Sequence, residues 1–163
     1  MVRYLAIFAI FAAPVFAAQV EIEGNVESKC IIQTDTSGVF GNPTADTLST
    51  ASADGGVPPI VRFDVAMGDY YLARISHPTS FSTSPALSDV VNWTGSTYVF
   101  NVSDAGMAAY DTSKVTFNNV TEFDLTIAGS TWFRIDSTAT YGAGKAFPGG
   151  TYRAIVEAEC IAK

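Results

Sequence analysis

Apolar and polar residues alternate with a period of two along most of the chain. From residue 20 to residue 32 the even positions include Val20, Ile22, Val26 and Cys30, while the odd positions up to Lys29 are all polar. The same alternation recurs in residues 60–65, 121–127, 131–138 and 152–160. Such alternation is typical of strands that bury one face.

Turn signals divide these runs and set the fold class. Residues 34–59 are polar and rich in Gly and Pro, which predicts a loop with at most a short strand at residues 38–41. Residues 90–102 are interrupted by Thr94-Gly95 and predict a hairpin. Residues 104–110 alone have helical character, as one turn capped by Ser103 or Asp104. About seven to nine short strands without βαβ spacing predict a single all-β domain, an antiparallel sandwich or barrel.

The first seventeen residues have the features of a secretory signal peptide. Arg3 provides a positive start, and residues 4–13 form an uninterrupted apolar run. This run is too short to span a bilayer as a helix, and the small residue Ala17 fits a cleavage site. We therefore predict that residues 1–17 are removed. Residues 18–163 would then be exported to the periplasm, the cell surface or the medium as one domain without a transmembrane segment.

The chain contains two cysteines, Cys30 and Cys160. In an oxidising compartment they have only each other as partners. Both fall on the apolar face of their predicted strands, so we predict a disulfide between them and expect the two strands to be adjacent. Such a bond would contribute on the order of 4–5 kcal/mol. A redox-active pair is the competing interpretation, but it would require the two thiols to be close in sequence.

Composition and charge narrow the classes of function. The formal net charge of -7 argues against a nucleic-acid partner, because phosphate neutralisation needs clustered Lys and Arg. The single histidine, His77, precedes Pro78 and is expected at the surface end of a strand. The sequence contains no recognisable catalytic, nucleotide-binding or metal-binding motif. We therefore expect no catalytic residues, no metal and no cofactor.

Aromatic residues supply a second hypothesis. Trp93, Trp132 and Tyr141 could form an exposed surface that binds carbohydrate or a surface partner. On its predicted strand Trp132 has the opposite parity to Phe133 and Ile135, which places it outside the main core. Aromatic residues with this spacing are also typical of core or inter-subunit packing. The spacing alone fits both interpretations.

Two groups of residues resemble a known family of secreted subunits. They are Val20-x-Ile22 and Val26 leading through Cys30-Ile31-Ile32 to Val39-Phe40-Gly41, and Phe123-x-Leu125-x-Ile127-Ala128-Gly129 followed by Phe147-Pro148-Gly149-Gly150-Thr151-Tyr152. These runs resemble the opening and closing strands of the spore coat protein U and archaic chaperone–usher pilin group. The resemblance covers the two terminal thirds of the chain and implies an immunoglobulin-like, pilin-like β-sandwich.

The resemblance also implies a mode of assembly, donor strand exchange. In that mode the N-terminal extension of one subunit fills a gap in the sandwich of its neighbour. Residues 18–27 would be the donor, with Val20, Ile22 and Val26 as the inserted side chains. The same residues could instead form the first strand of their own domain, and the alternation fits both arrangements. A periplasmic chaperone and an outer-membrane usher are the partners that the resemblance implies.

The leading hypothesis is a secreted, non-catalytic structural subunit of a pilus-like or coat-like surface assembly. Such a subunit would associate with copies of itself or with other secreted subunits. The alternative is a monomeric extracellular binding module or adhesin that uses exposed aromatic residues. A secreted hydrolase is a third hypothesis, for which no particular pair of carboxylates stands out.

Overall fold

The computed structural model describes residues 29–142 and 144–163. The predicted signal peptide (residues 1–17) and the segment 18–27, with Val20, Ile22 and Val26, lie outside the described residues. The described strands are β1 (Cys30–Thr36), β2 (Gly41–Thr44), β3 (Thr47–Ser49), β4 (Ile60–Val65), β5 (Tyr71–Ser76), β6 (Val91–Val102), β7 (Val115–Phe117), β8 (Val120–Leu125), β9 (Gly129–Tyr141) and β10 (Glu157–Ala162). A 3₁₀ helix (Ala105–Ala109) and a single helical turn, α1 (Tyr110–Ser113), connect β6 to β7.

The strands form two antiparallel sheets, which confirms the all-β sandwich. The longest strand, β9, lies at the centre of the first sheet and pairs along one edge with β6. Its other edge pairs with β4 over residues 129–134 and with β3 over residues 138–140. β1 lies outside β4, and β2 lies outside β3. The second sheet has the order β10-β5-β8-β7.

The core lies between the two sheets. Every second residue of β9 from Thr131 to Tyr141 is buried, as its alternation predicts. The ring of Phe133 lies 5.5 Å from that of Phe63 in β4 and 4.3 Å from that of Phe123 in β8, measured between centroids. These three rings therefore join the two sheets, and the burial of each contributes about 1.5–3 kcal/mol.

Residues 91–102 form one continuous strand, so the expected hairpin is wrong. β6 runs through Thr94-Gly95, and Gly95 pairs with Ser137 of β9. A Cβ atom at Gly95 would lie 2.6 Å from Cγ of His77. The glycine therefore makes room for a ring and does not form a turn. The same packing leaves His77 only 8% exposed, which corrects its expected surface position.

Two strand boundaries also differ from expectation. The polar segment 34–59, expected as a loop, contains the end of β1 and the short strands β2 and β3, so the described sandwich has ten strands. The last strand begins at Glu157 and not at residue 152. Its partner β5 ends at Ser76, and the ladder cannot continue past Pro78, which has no amide hydrogen.

The predicted helical cap is confirmed. The carboxylate of Asp104 accepts a hydrogen bond from the N–H of Gly106 at 2.8 Å and so caps the 3₁₀ helix. Asn118-Asn119 turns the chain between β7 and β8, with Asn118 at a φ of 53°, a conformation that asparagine tolerates. Among the described residues, no helix has the length and apolar character to cross a membrane.

Candidate functional site: an open cleft between the two sheets

An open cleft lies on one side of the sandwich, between the outer strands of the two sheets. β1 ends the first sheet and β10 ends the second. The disulfide between Cys30 and Cys160 joins these strands, with 6.4 Å between the two Cα atoms. The predicted disulfide is therefore present, but the two strands do not pair as expected, since the bond bridges two different sheets. Beyond it lies a cleft of about 750 Å³.

The cleft has two extended walls and a floor of inward-facing residues. One wall comes from residues 34–40 and the other from residues 152–156. Val61, Ser137, Thr50 and Pro59 line its floor. Arg153 is the one charged side chain among the described residues that line it. This lining suits an extended occupant with uncharged side chains on one face.

Both strand edges that face the cleft are unpaired within the described part of the chain. The N–H of Ala66 donates to the carbonyl of Lys29, so the antiparallel ladder directs the backbone groups of Ile32 and Thr34 away from β4. The N–H of Lys163 donates to the carbonyl of Tyr70, and the same argument directs the backbone groups of Ala158 away from β5. Backbone donors and acceptors on both sides are thus oriented for a further strand.

The inward-facing side chains beside the cleft are only partly covered. Ile32 shares a face with Cys30 but is 36% exposed. Ala154, Val156 and Ala158 are also partly exposed, although they lie on the apolar face of the last extended segment. The corresponding residues of β9 are fully buried. Among the described residues, no element covers the core along this side.

The opposite side of the sandwich is closed by the connection between β6 and β7. Met107 of the 3₁₀ helix and Tyr110 of α1 are buried in the core. The hydroxyl oxygen of Tyr110 accepts a hydrogen bond from the N–H of Ile127 at 2.9 Å. Within residues 29–142 and 144–163, the core is thus covered on this side and left open at the cleft.

Other strand edges of the described sandwich are protected against pairing. On β6 the carboxylate of Asp111 accepts hydrogen bonds from the N–H of Val99, with both distances 3.1 Å, and Lys114 donates to the carbonyl of Thr97 at 2.8 Å. A bulge at Phe100 also distorts this edge. β7 has three residues and β2 has four. Short, bulged or charged edges resist unwanted strand addition, so the cleft is the edge left available.

Hydroxyl groups contribute to the floor and wall of the cleft. At the position in β9 where the partner strand changes from β4 to β3, Oγ1 of Thr50 accepts a hydrogen bond from the N–H of Ser137 at 2.9 Å. The hydroxyl of Ser137 is buried and has no partner among the described residues. Tyr152 donates its hydroxyl to the carbonyl of Pro148 at 2.6 Å. Burial, followed by the electrostatic effect of Tyr141, raises the pKa of Tyr152, so its phenol stays neutral.

The three aromatic candidates do not form one surface. Trp93 packs against Phe81 with 4.7 Å between ring centroids, on the inner face of β6 because it pairs with an inward residue of β9. Tyr141 is buried on that same side. Trp132 lies on the outer face of the first sheet, where the guanidinium of Arg62 lies 5.7 Å from its ring centroid. These rings pack against the protein's own side chains.

No cluster of metal-binding side chains occurs in residues 29–142 or 144–163. Comparison with family models, curated proteins and solved structures finds no match to this chain. The geometry of the cleft and the pattern of the sequence are therefore the basis for assigning a function.

The residues that line the cleft were not among the candidates identified from the sequence. Thr34 and Thr36 lie in the segment expected as a loop, and residues 152–156 were expected within a paired strand. One feature of the sequence could have indicated that residues 152–156 leave the ladder, because Pro78 limits how far a strand can pair with β5. Which two strand edges meet across the sandwich is a property of the topology, which the alternation does not specify.

Proposed function

We propose that this protein is a secreted, non-catalytic structural subunit of a pilus-like or coat-like surface assembly. In this proposal the cleft receives an extended segment from a neighbouring copy. The observation that carries the proposal is the open side of the sandwich, where two strand edges that have no partner in the described part of the chain flank a partly covered core. The Cys30–Cys160 disulfide supports a location outside the cytoplasm.

Strand addition explains why a fold would leave such an edge open. An inserted strand makes main-chain hydrogen bonds to both edges and places alternate side chains against the core. Residues 18–27 have the required pattern, with Val20, Ile22 and Val26 on one face and three glutamates on the other. Each Val or Ile that becomes buried contributes about 1.5–3 kcal/mol before the costs of association.

The resemblance to the spore coat protein U and archaic chaperone–usher pilin group leads to the same mode of assembly. On that resemblance, we infer that a periplasmic chaperone protects the cleft before assembly and that an outer-membrane usher delivers the subunit. A monomeric carbohydrate-binding module or adhesin is the weaker candidate. Trp93, Trp132 and Tyr141, which such a module would use, do not share a surface.

Electron microscopy and size-exclusion chromatography of the exported chain test the proposal. Val26→Asp places a charge among the side chains proposed to enter the cleft. Asn25→Asp introduces the same side chain at the next residue, on the face proposed to remain in water, and is the matched control. We expect large assemblies from the wild type and from Asn25→Asp. Val26→Asp and a chain lacking residues 18–27 should remain monomeric, and assembly by the deleted chain would refute the donor assignment.

A peptide experiment separates binding from folding. A labelled peptide of residues 18–28 should bind to the Val26→Asp monomer, whose cleft is intact and whose own segment is impaired. The same peptide carrying Val26→Asp should bind much more weakly, because a buried unpaired carboxylate costs several kcal/mol. Equal binding of the two peptides would show that the apolar face of the segment does not enter the cleft.

A further inference from the structure

One arginine that lines the cleft differs from the other described arginines. Those arginines, together with three of the lysines, form ion pairs with aspartate or glutamate; they are Arg62, Arg74, Lys114, Arg134, Lys145 and Lys163. Arg153 is exposed, and its guanidinium forms no ion pair or hydrogen bond with any residue that the structure describes. It also lines the cleft. An arginine without an acidic partner therefore lies where the proposed strand would bind.

The backbone of Arg153 is held by the loop between β5 and β6. Its N–H donates to the carbonyl of Thr83 at 2.9 Å, and its carbonyl accepts a hydrogen bond from the N–H of Ser82 at 2.8 Å. Oγ of Ser82 donates to the same carbonyl at 3.1 Å. The main chain of this residue is thus fixed on the side away from the cleft, while its side chain is left available.

The two walls of the cleft are joined at both ends. At one end the disulfide links Cys30 to Cys160. At the other end the ring of Phe81 packs against both walls, with its centroid 6.2 Å from that of Phe40 and 5.1 Å from that of Tyr152. The wall that carries the arginine is therefore fixed relative to the opposite wall before anything binds, which lowers the ordering cost of a contact to it.

Strand geometry places Arg153 beside the outer face of an inserted strand. Because the backbone groups of Arg153 are directed at the loop, those of Ala154 are directed into the cleft. Side chains alternate in the same way, so Ala154 and Val156 face the core and Arg153 faces outward. A strand that pairs with Ala154 would place its own outward side chains next to Arg153, with about 5 Å between the Cβ atoms of facing residues.

The described lining of the cleft contains no carboxylate that could pair with Arg153. Asp35 belongs to β1, the strand of the opposite wall, but its carboxylate accepts a hydrogen bond from Nε1 of Trp132 at 3.3 Å, on the outer face of the first sheet. An acidic partner for Arg153 would therefore have to come from the molecule that fills the cleft.

We propose that Arg153 selects the occupant of the cleft by pairing with a carboxylate on its outward face, so that the cleft takes an acidic strand. This inference rests on the proposed function. Residues 18–27 of a second copy have the required chemistry, because Glu21, Glu23 and Glu27 alternate with the apolar residues. The glutamates stay on the outward face whichever way the segment runs, since the alternation has no direction.

The pair would contribute more to the choice of occupant than to affinity. An exposed ion pair is weak because water and salt screen it. A strand with the same apolar face but lysines outward would meet Arg153 as a like charge, and this repulsion favours the acidic strand over it. Charge complementarity at the mouth of the cleft also speeds encounter.

Substitutions of Arg153 in the Val26→Asp monomer test this role. Arg153→Gln removes the charge and Arg153→Glu reverses it. Arg74→Gln is the matched control, because it removes the same charge from an arginine that pairs with Glu122 at 2.7 Å and does not line the cleft. Fluorescence anisotropy measures the Kd of the labelled peptide 18–28 for each chain, at about 0.01 M and about 1 M salt.

At the lower salt concentration we expect Arg153→Gln to raise the Kd by about threefold and Arg153→Glu by about tenfold. Both effects should largely disappear at the higher salt concentration, and Arg74→Gln should leave the Kd unchanged. A peptide with Gln in place of its three glutamates should bind equally well to the Arg153 and Arg153→Gln chains, which shows that the two charges act on each other.

A charge exchange keeps the test informative if a variant is damaged. The peptide with Glu21→Lys, Glu23→Lys and Glu27→Lys should bind more tightly to the Arg153→Glu chain than to the chain with Arg153. A misfolded Arg153→Glu chain would not gain affinity for any peptide. Tighter binding of the lysine peptide to the chain with Arg153 would overturn the proposed pairing.

The outcomes distinguish this inference from the proposed function. If the natural peptide binds with the same Kd to the chains with Arg153, Arg153→Gln and Arg153→Glu, selection by Arg153 is overturned and strand insertion stands. An equal effect of Arg74→Gln also overturns it, because the peptide would then respond only to net charge. A monomer that does not bind the natural peptide overturns the proposed function, and the role of Arg153 with it.

Discussion

Removing the disulfide tests how the open side of the sandwich is held together. In a chain with Cys30→Ala and Cys160→Ala, β1 keeps its ladder to β4 and β10 keeps its ladder to β5, but the covalent link between the sheets is lost. The two cysteines are 130 positions apart, for which the chain-entropy model gives about 5 kcal/mol. Because strain and residual structure reduce this figure, we expect a loss of about 2–5 kcal/mol in the free energy of unfolding.

Equilibrium unfolding in urea, followed by tryptophan fluorescence, measures this loss. The Val26→Asp background keeps assembly from contributing to the measured stability. A domain of this size has a free energy of unfolding of about 5–15 kcal/mol. The variant should therefore remain folded, but the urea concentration at the midpoint of its unfolding should be lower. The chemically reduced Val26→Asp chain with both cysteines is the matched control and should unfold at the same urea concentration as the variant.

Two outcomes would contradict this contribution of the disulfide to stability. A loss below about 1 kcal/mol would show that the link constrains little of the unfolded chain. A reduced chain that unfolds at the midpoint of the oxidised one would show the same without any change of sequence. Peptide 18–28 should also bind more weakly to the variant, because the two cleft edges are no longer held at a fixed separation.

Four further substitutions test separate parts of the account. Met107→Ala should lower the free energy of unfolding in urea by about 2–5 kcal/mol, because Met107 fills the closed side of the core; a loss below about 1 kcal/mol would contradict that role. Thr97→Val should raise the melting temperature, since it removes a buried hydroxyl without a partner among the described residues; a lower melting temperature would contradict this. Asp111→Ala should increase aggregation measured by light scattering, because it uncovers the N–H of Val99 on the β6 edge; unchanged scattering would argue against edge protection. Hydrogen bonds from Thr44 and Thr47 lower the pKa of Asp46 below 3.8, so its contribution is present above that pH and is lost as the pH falls through the folded-state pKa. Asp46→Asn should therefore flatten the dependence of the melting temperature on pH below about pH 4, and an unchanged slope would refute this.

Strands that are paired on both edges or bury one whole face could be predicted from the sequence. β4 and β9 alternate without interruption because every second residue enters the core. β6 could not be predicted in full, since Gly95 has the appearance of a turn residue in the sequence. Its role depends on His77, which packs against it from a distant part of the chain. A glycine that admits a neighbouring ring and a glycine that turns the chain have the same local pattern.

The disulfide could be predicted from the sequence, but the cleft could not. Cys30 and Cys160 lie on the apolar faces of their strands, and this was enough to predict their bond. The sequence does not specify that they belong to different sheets, because the alternation records which face is buried and not which edges meet. Residues 152–156 alternate as a strand does, yet they lie outside β10, and Arg153 forms an isolated bridge to Thr83, because Pro78 ends the edge of β5.

Amide hydrogen exchange in assembled and monomeric protein shows whether a strand occupies the cleft. The two samples are the assembled wild-type chain and the Val26→Asp chain, and the readout is the exchange rate of the amides of Ile32, Thr34, Ala154 and Val156. We expect these amides to exchange at least about 100-fold more slowly in the assembly, because an inserted strand would bond to both cleft edges. Equal exchange at these four positions in the two samples would contradict the claim that the cleft accepts a strand.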